Sequence, residues 1–456
     1  LELTIEQILK IWQAGHDQRE AMRKRENYYY GDHAILKRDE YYANGQKKTN
    51  RVTNFIQFAI DLFVGALTSA PFQVTPAGGV DEEKVDTYEV VYDANNLRSI
   101  DTENLRWCMV HGWAVEVHEI VDKEITIWGD SALNWQPVYD SFGDLVGAIY
   151  YRVLPAGTIF EDGVLQDELE WITYYSDSVI TDYQRKGSGG AWVRVGEQAH
   201  GFGRVPVVIW TLNNQYRSII SDSVMALNDE YNDIDSASGD DIRNDTNAIL
   251  LVKGYDAASI EQEAAKIKEL GIIPLGEGGD ASYITKNNDV ARVESRLRRV
   301  REGIFIGLSV PDFETIIGAT GSTSGIALQL KFFPMQSRSS AFVNWIKKSI
   351  QGRIDLINSV ARKKGLAVLD DYQITVQFVI PANRVEQWKA IKTLEGVVSL
   401  RKRLELLDDV DDPEQEIKRM ETEGVLAGEL QGEAAEIARE LDLQRATREF
   451  EQRLET

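Results

Sequence analysis

VPDFETIIGATGSTSGIALQLKFF, Val310 to Phe333, decides the reading of this chain. In it a Gly/Ser/Thr loop, Gly318 to Thr323, runs straight into a helix-forming segment. The loop is small, polar and uncharged, and its glycines lift the steric limits on the backbone. Ser324 stands where an N-cap would, its hydroxyl placed to accept an orphan amide of the first turn. The predicted helix runs from Ser324 to about Lys363, with Val343, Ile346, Ile350, Ile354 and Ile357 on its apolar face and a kink expected at Pro334. A bendable loop on a stiff rod suits contact with something that moves past. A nucleotide cradle is the rival reading, but a P-loop needs Lys then Ser or Thr after its second spaced Gly. Here Gly321 is followed by Ser322 and Thr323, and the next lysine is Lys331.

Upstream of the loop, Val293, Leu297, Val300 and Ile304 stripe a helix from about Val290, with Arg292, Arg296 and Arg299 on an adjacent face. A second long helix, about Ser218 to Asn244, carries the seam Ile220, Val224, Leu227, Tyr231 and Ile234. Its other faces are acidic and include Asp229, Asp233 and Asp240. Between these helices lies a small α/β insert: a strand Ile249–Lys253, a helix Ser259–Leu270, and the strands IIPL and ASYITK. The pattern is a stem carrying a cap.

Earlier in the chain the period is two. From Trp113, strand-like runs follow around Ile125–Trp128, Val146–Val153, Trp171–Tyr175, Val179–Tyr183 and Val205–Trp210, with a hairpin tip at Gly187–Gly190. The N-terminal part reads as helices, one through Ile5, Ile8, Leu9 and Trp12, and one from Thr49 to Leu67 that Pro71 ends. Gln373–Ile380 is a late strand expected to join the other β elements. Helices follow, from near Val385, from Pro413 to about Glu423, and after Gly432. The fold class is α+β.

With 456 residues, two or three compact units are expected, and 43% hydrophobic content can fill their cores. The formal net charge is −23, from 73 acidic against 50 basic residues. Such a surface argues against gripping nucleic acid through phosphate neutralisation, though not against letting it slide by. Cys108, the single cysteine, sits among Trp107, Met109 and Val110, so a reducing compartment and a buried inert thiol are expected. The opening LELTIEQILKIW is amphipathic and not signal-like, and the sequence begins at Leu1, consistent with trimming. The apolar window Phe55–Leu67 is interrupted by Gln57 and Asp61 and is too short to span a bilayer, so a soluble protein without membrane association is expected. The five histidines, His16, His33, His111, His118 and His200, have no zinc-ligand spacing. No catalytic residue, cofactor or metal is expected.

In this order the segments resemble the portal proteins of tailed double-stranded DNA bacteriophages, in the siphophage-type branch. YYYGDHAIL (Tyr28–Leu36) is similar to the family's early Tyr-Tyr-x-Gly-x-His segment, and NRVTNFIQFAIDLFVGALTSAPF (Asn50–Phe72) to its Asn-rich helix with a Pro-containing turn. HGWAVEV (His111–Val117) matches the hand-over from helix to β region, and VPDF…STSGIAL (Val310–Leu328) the loop and helix start. Their order across nearly the whole chain is more specific than any one of them.

The resemblance implies a ring of about 12 subunits at one capsid vertex. The implied parts are a wing (residues 1–216), a first stem helix (217–248), a clip (249–289), a second stem helix (290–313), a tunnel loop (314–323), a long kinked helix with a returning strand (324–383) and a helical crown (384–456). It implies a non-enzymatic conduit through which double-stranded DNA is packaged and ejected. It further implies docking of the terminase large subunit and then a head-completion adaptor, with the major capsid protein and scaffold as neighbours. The protein would belong to the portal vertex of the virion, and to host cytoplasm during assembly. The implied site residues are Ile317, Gly318, Ala319, Thr320, Gly321, Ser322 and Thr323 in the tunnel loop. Lys253, Tyr255, Lys266, Tyr283 and Lys286 would serve clip docking. Arg292, Arg296, Arg299 and Arg301, with Asp229, Asp233 and Asp240, would line the lumen or pair between subunits. Two rivals differ in class: a Mg-dependent nuclease or other nucleic-acid enzyme using Asp229, Asp233 and Asp240, and another structural virion protein of capsid or tail.

Overall fold

The computed structural model describes residues 2–41, 45, 47–76, 82–157, 168–187, 189–245, 249–253, 279–284, 290–312, 325–378, 391–405 and 413–422. Two compact units divide the chain, one of Leu1–Gly318 with Phe332–Phe378, the other of Ala319–Lys331 with Val379–Thr456. The fold is mixed helix and antiparallel sheet, as the period analysis expects.

The first unit is layered around two sheets. Strands β2 (Trp113–Val121), β3 (Glu124–Ser131) and β9 (Val207–Thr211) form a sheet in the order β3-β2-β9. Strands β4 (Trp135–Tyr139), β5 (Leu145–Leu154), β6 (Leu169–Tyr175), β7 (Val179–Lys186) and β8 (Val193–Ala199) form a five-stranded meander. Trp113, Val115, Val117 and Val207 of the first sheet meet Trp135, Ala148, Tyr175 and Ile180 of the second in one core. The meander's other face, through Val138, Ile149, Ile172 and Tyr174, takes Ile8 and its neighbours on helix α1 (Ile5–Ala14). That helix starts at a capping box in which Thr4 and Gln7 satisfy each other's backbone amides. The sequence reading omitted β4 and β8. Every residue of β8 but Gly196 is exposed, so no buried face marks it in the sequence.

The hand-over at HGWAVEV follows from one glycine. Helix α5 (Leu97–His111) ends at Gly112, whose φ of 103° favours glycine, and a Cβ there would lie 2.1 Å from the Tyr216 carbonyl oxygen. The β2–β3 hairpin turns through Asp122 and Lys123, both at positive φ, the twist a two-residue hairpin needs.

Helix α2 (His16–Tyr29) follows α1, and helix α3 spans Phe55–Thr68, capped by the Asn54 side chain on the Gln57 amide. The predicted start at Thr49 is therefore corrected. Residues 49–54 stay out of the helix because their backbone groups bond elsewhere, as described below. The late strand is also shorter than predicted: β12 (Tyr372–Thr375) pairs antiparallel with β1 (Gln73–Pro76) and joins neither larger sheet. Helix α4 (Glu82–Ala94) lies between β1 and α5.

Three long helices complete this part of the chain: α6 (Asp222–Asp245), α7 (Val290–Leu308) and α8 (Gly325–Lys364). Helix α8 continues through Pro334, and it buries Ile346, Ile350, Ile354 and Ile357 as the stripe predicts. In the second unit, α9 (Leu400–Glu405) and α10 (Pro413–Thr422) pack together, with Leu404 buried. The Ser324 cap, the helix Ser259–Leu270, the IIPL strand, the helix start near Val385 and the helix after Gly432 lie outside the described residues.

Candidate functional site

Helices α6 and α7 run antiparallel, and small residues let them approach. A Cβ on Gly307 would lie 2.7 Å from a Val224 methyl, and one on Gly303 3.3 Å from a Leu227 methyl. Further along, the Arg296 guanidinium pairs with Glu230, its Nε donating at 2.7 Å. The apolar seam read from sequence thus faces α7 through Val224 and Leu227. Tyr231 instead meets Phe55 of α3, ring centroids 4.8 Å apart, and Phe55 meets Phe305 of α7 at 5.4 Å. One cluster of rings ties the pair to α3.

The opposite face of α6 is polar and buried. Asn228, Asn232, Ser236 and Asp240, four residues apart, bond the backbone of the extended segment Thr49–Thr53. Asn228 Nδ2 donates to the Thr53 carbonyl at 2.9 Å, and the Thr53 amide donates to Asn232 Oδ1 at 2.9 Å. The Arg51 amide donates to Ser236 Oγ at 2.9 Å, and the Thr49 amide to Asp240 Oδ2 at 3.0 Å. Four residues of helix rise about 6 Å and two of strand about 6.6 Å, so each helical turn meets every second residue of the strand. The YYYGDH segment joins the same face. Asn232 Nδ2 donates to His33 Nδ1 at 2.9 Å, leaving Nε2 to donate to the Tyr28 carbonyl at 3.0 Å. Burial lowers the His33 pKa, consistent with this neutral ring. Tyr28 donates its hydroxyl to Asp229 at 2.5 Å.

The charged residues singled out on α6 and α7 have these partners. Asp229 takes Tyr28; Asp233 pairs with Arg38 at 3.3 Å; Asp240 takes both the amide and the hydroxyl of Thr49. Arg301 pairs with Asp312 at 3.2 Å, Arg299 donates to the Ser295 carbonyl at 3.4 Å, and Arg292 is exposed near the start of α7. The structure brings Arg296 to the acidic helix within one chain. The three aspartates go separately to N-terminal residues.

At the far end of the pair, β10 (Ile249–Lys253) and β11 (Asp280–Ile284) form an antiparallel two-stranded ribbon that pairs Lys253 with Asp280 and Leu250 with Tyr283. Tyr255, Lys266, Lys286 and the loop residues Ile317 to Thr323 lie outside the described residues.

A second buried polar group escaped the sequence reading. Arg353 of α8, fully buried, donates from Nε to Glu116 Oε1 at 2.9 Å and from Nη2 to Glu116 Oε2 at 2.6 Å and Asp101 at 2.5 Å. His118 Nε2 donates to Glu116 at 2.9 Å, and Trp210 Nε1 at 3.0 Å. Burial pushes Asp101 up to about 6 against the pull of Arg353. Burial acts the same way on Glu116, but Arg353 and the His118 hydrogen bond outweigh it and hold Glu116 at about 2. Nothing local in KSIQGRIDLI marks Arg353 as ionic core, because its partners lie more than two hundred residues away. The Asn228-to-Asp240 repeat, by contrast, has a sequence signal, polar residues at four-residue spacing.

Cys108 is buried, which pushes its thiol up, as its apolar neighbours suggest. Among the described residues no cluster of His, Cys, Asp or Glu could hold a metal ion, and no helix is long and apolar enough to cross a membrane.

A family model described as phage portal protein, SPP1 Gp6-like, matches residues 8–425. The portal protein of Bacillus phage SPP1 is 22% identical over 271 residues, 57% of this chain and 53% of that protein. The chain thus spans about half the length of this curated relative in the match. Two solved structures are similar at 14% identity and a TM-score of 0.43: a virion of a native gene transfer agent particle, and the neck of such a particle computed with C12 symmetry. They cover 76% and 77% of this chain and 88% of each neighbour.

Proposed function

This chain belongs to the SPP1 Gp6-like family of phage portal proteins, and from that premise we propose that it is a ring-forming, non-catalytic conduit for double-stranded DNA. The family match across residues 8–425 carries the reading. In it, copies of the chain stand in a closed ring of about 12 at one vertex of the capsid. Helices α6 and α7 are the stem, and the β10–β11 ribbon with its insert is the clip. The loop 314–323 touches the passing duplex, residues 384–456 are the crown, and the sheets belong to the wing.

The geometry supports these roles in two ways. A helix pair closed by Gly303, Gly307 and an aromatic cluster is a stiff strut, which a channel wall requires. Among the described residues the insert contributes the β10–β11 ribbon, and two strands of that size suit an element completed by further contacts. During packaging the clip docks the terminase large subunit, which supplies the ATP chemistry, and afterwards a head-completion adaptor; the wing meets capsid protein and scaffold. Asp229, Asp233 and Asp240 are engaged by three different partners, which favours this reading over a magnesium nuclease.

Native mass spectrometry and electron-microscope class averages of the purified chain test it. A closed ring with a channel wide enough for duplex DNA is expected. A stable monomer or dimer at micromolar concentration would overturn the reading.

A further inference from the structure

Where the YYYGDH segment meets α6, a chain of hydrogen bonds can run in one direction only. The Thr53 amide can only donate, so it turns the Asn232 carboxamide with Oδ1 toward the backbone and Nδ2 toward His33. Nδ2 brings a proton to His33 Nδ1, which must therefore carry none. The one ring proton sits on Nε2 and goes to the Tyr28 carbonyl. From the Thr53 amide to the Tyr28 carbonyl every bond points the same way. The imidazole completes that chain only as its neutral Nε2–H tautomer.

A second ring proton has no acceptor. On Nδ1 it would meet the Asn232 N–H head-on. Turning the carboxamide over would offer Oδ1 to the ring but set Nδ2–H against the Thr53 N–H. His33 is fully buried, so water does not take up the proton either. The groups around it do not resolve the conflict. Asp229 of α6 is taken by the Tyr28 hydroxyl, and Asp32 pairs with Lys37 at 3.3 Å. Tyr28, whose ring stacks on the imidazole at 4.8 Å, and Asn54, which caps α3, are neutral. Both carboxylates favour an imidazolium, but burial outweighs them and holds the His33 pKa below its ordinary 6.5.

We propose that His33 is a proton-operated catch: neutral, it holds Tyr28–His33 and Thr49–Thr53 on α6; protonated, it parts Asn232 from Thr53 and frees both segments while the sheets stay folded. This goes beyond the conduit reading and does not depend on it. Because the pKa is lowered in the folded chain, the hold is complete above 6.5 and weakens as pH falls below it. One proton limits the loss to about tenfold per pH unit.

The test is hydrogen exchange of the purified full chain from about pH 7.5 to about pH 5, corrected for the intrinsic pH dependence of exchange. The readout is local, because buried Asp101, raised to about 6, moves overall stability in the opposite sense over the same range. On acidification the amides of residues 49–53 should lose protection by about tenfold, and those of β2 should not follow. His33→Asn keeps an acceptor toward Asn232 but cannot titrate, and should make the protection independent of pH. Asn232→Asp should reverse the trend. Its carboxylate can accept from Thr53 with one oxygen and from a protonated Nδ1 with the other, so the catch would tighten in acid. Flat wild-type protection across the range overturns the proposal. So does an acid loss that His33→Asn retains, or that keeps its direction in Asn232→Asp. A loss shared equally by the β2 amides is general unfolding and overturns it too. Should a variant fail to fold, the wild-type contrast between residues 49–53 and β2 still stands as the test.

Discussion

At Arg353 on α8 and along Asn228–Asp240 on α6, a long helix is fixed by polar groups buried away from water, but the two fixings differ in kind. The Arg353 site concentrates charge: one guanidinium against two carboxylates, in a place where none of the three touches solvent appreciably. The α6 site spreads its bonds over four side chains and the backbone of Thr49, Arg51 and Thr53. A concentrated charge site fails all at once when one partner goes, because the others are left ionised in a dry interior. A distributed ladder loses one rung at a time.

Arg353→Met should break the contrast most visibly, lowering stability to denaturant by about 3–5 kcal/mol as Asp101 and Glu116 lose their cation. Arg353→Lys should rescue little, since a single ammonium cannot fork to both carboxylates. A loss of less than about 1 kcal/mol in Arg353→Met would mean that the site behaves like the ladder. Titration sharpens the same point. Asp101, raised to about 6, adds stability that is complete below the ordinary carboxylate pKa and is lost as pH rises through about 6. Glu116, held at about 2, adds stability above its ordinary value of 4.5 that is lost as pH falls toward 2. From these two groups, stability against pH should therefore peak near pH 4, between the ordinary Asp value of 3.8 and Glu value of 4.5, falling toward 2 on the acid side and falling up to about 6 on the other, and Asp101→Asn should flatten the upper side.

On the ladder, Asn232→Ala strands the Thr53 amide and one His33 nitrogen and should cost about 1–3 kcal/mol, while Ser236→Ala should cost about 1. Urea denaturation of both singles and the double tests the rung-by-rung picture. Costs that add within about 0.5 kcal/mol support it, and strong coupling would place the ladder in the same class as the Arg353 site. Gly307→Ala, on the other side of α6, should cost about 1–2 kcal/mol as the new methyl meets Val224, with Val224→Ala restoring part of it. Smallest of all, Arg296→Ala should shift stability by less than about 1 kcal/mol, because its pair with Glu230 is half-exposed.

The difference also separates what could be read in the sequence from what could not. Local rules located the helix-to-strand switch at HGWAVEV, the apolar stripes of α7 and α8, and most of the strands, because each depends on neighbours within a turn or two. They placed the start of α3 at Thr49, since nothing in NRVTN shows that its amides are claimed by a helix nearly two hundred residues later. They extended the late strand past Thr375 because QITVQFVI keeps its apolar character where pairing with β1 stops. The charges of α6 were legible as charges, but their partners Tyr28, Arg38 and Thr49 belong to tertiary structure. Gly303 and Gly307 look like helix-weakening residues until α6 is laid against them.

The α6 ladder has a property that follows from its spacing. Each step of helix falls about 0.6 Å short of the matching step of strand. Two such scales, laid side by side, coincide over a few divisions and then drift out of phase, as on a vernier. That drift limits the number of rungs that can form at once. It also means that sliding the helix by a single turn would bring Asp240 to Arg51 and leave Thr49 facing the chain beyond it. The segment Thr49–Thr53 thus measures where α6 stands along its own axis, and a one-residue insertion between Asn228 and Asp240 would throw the two scales out of coincidence.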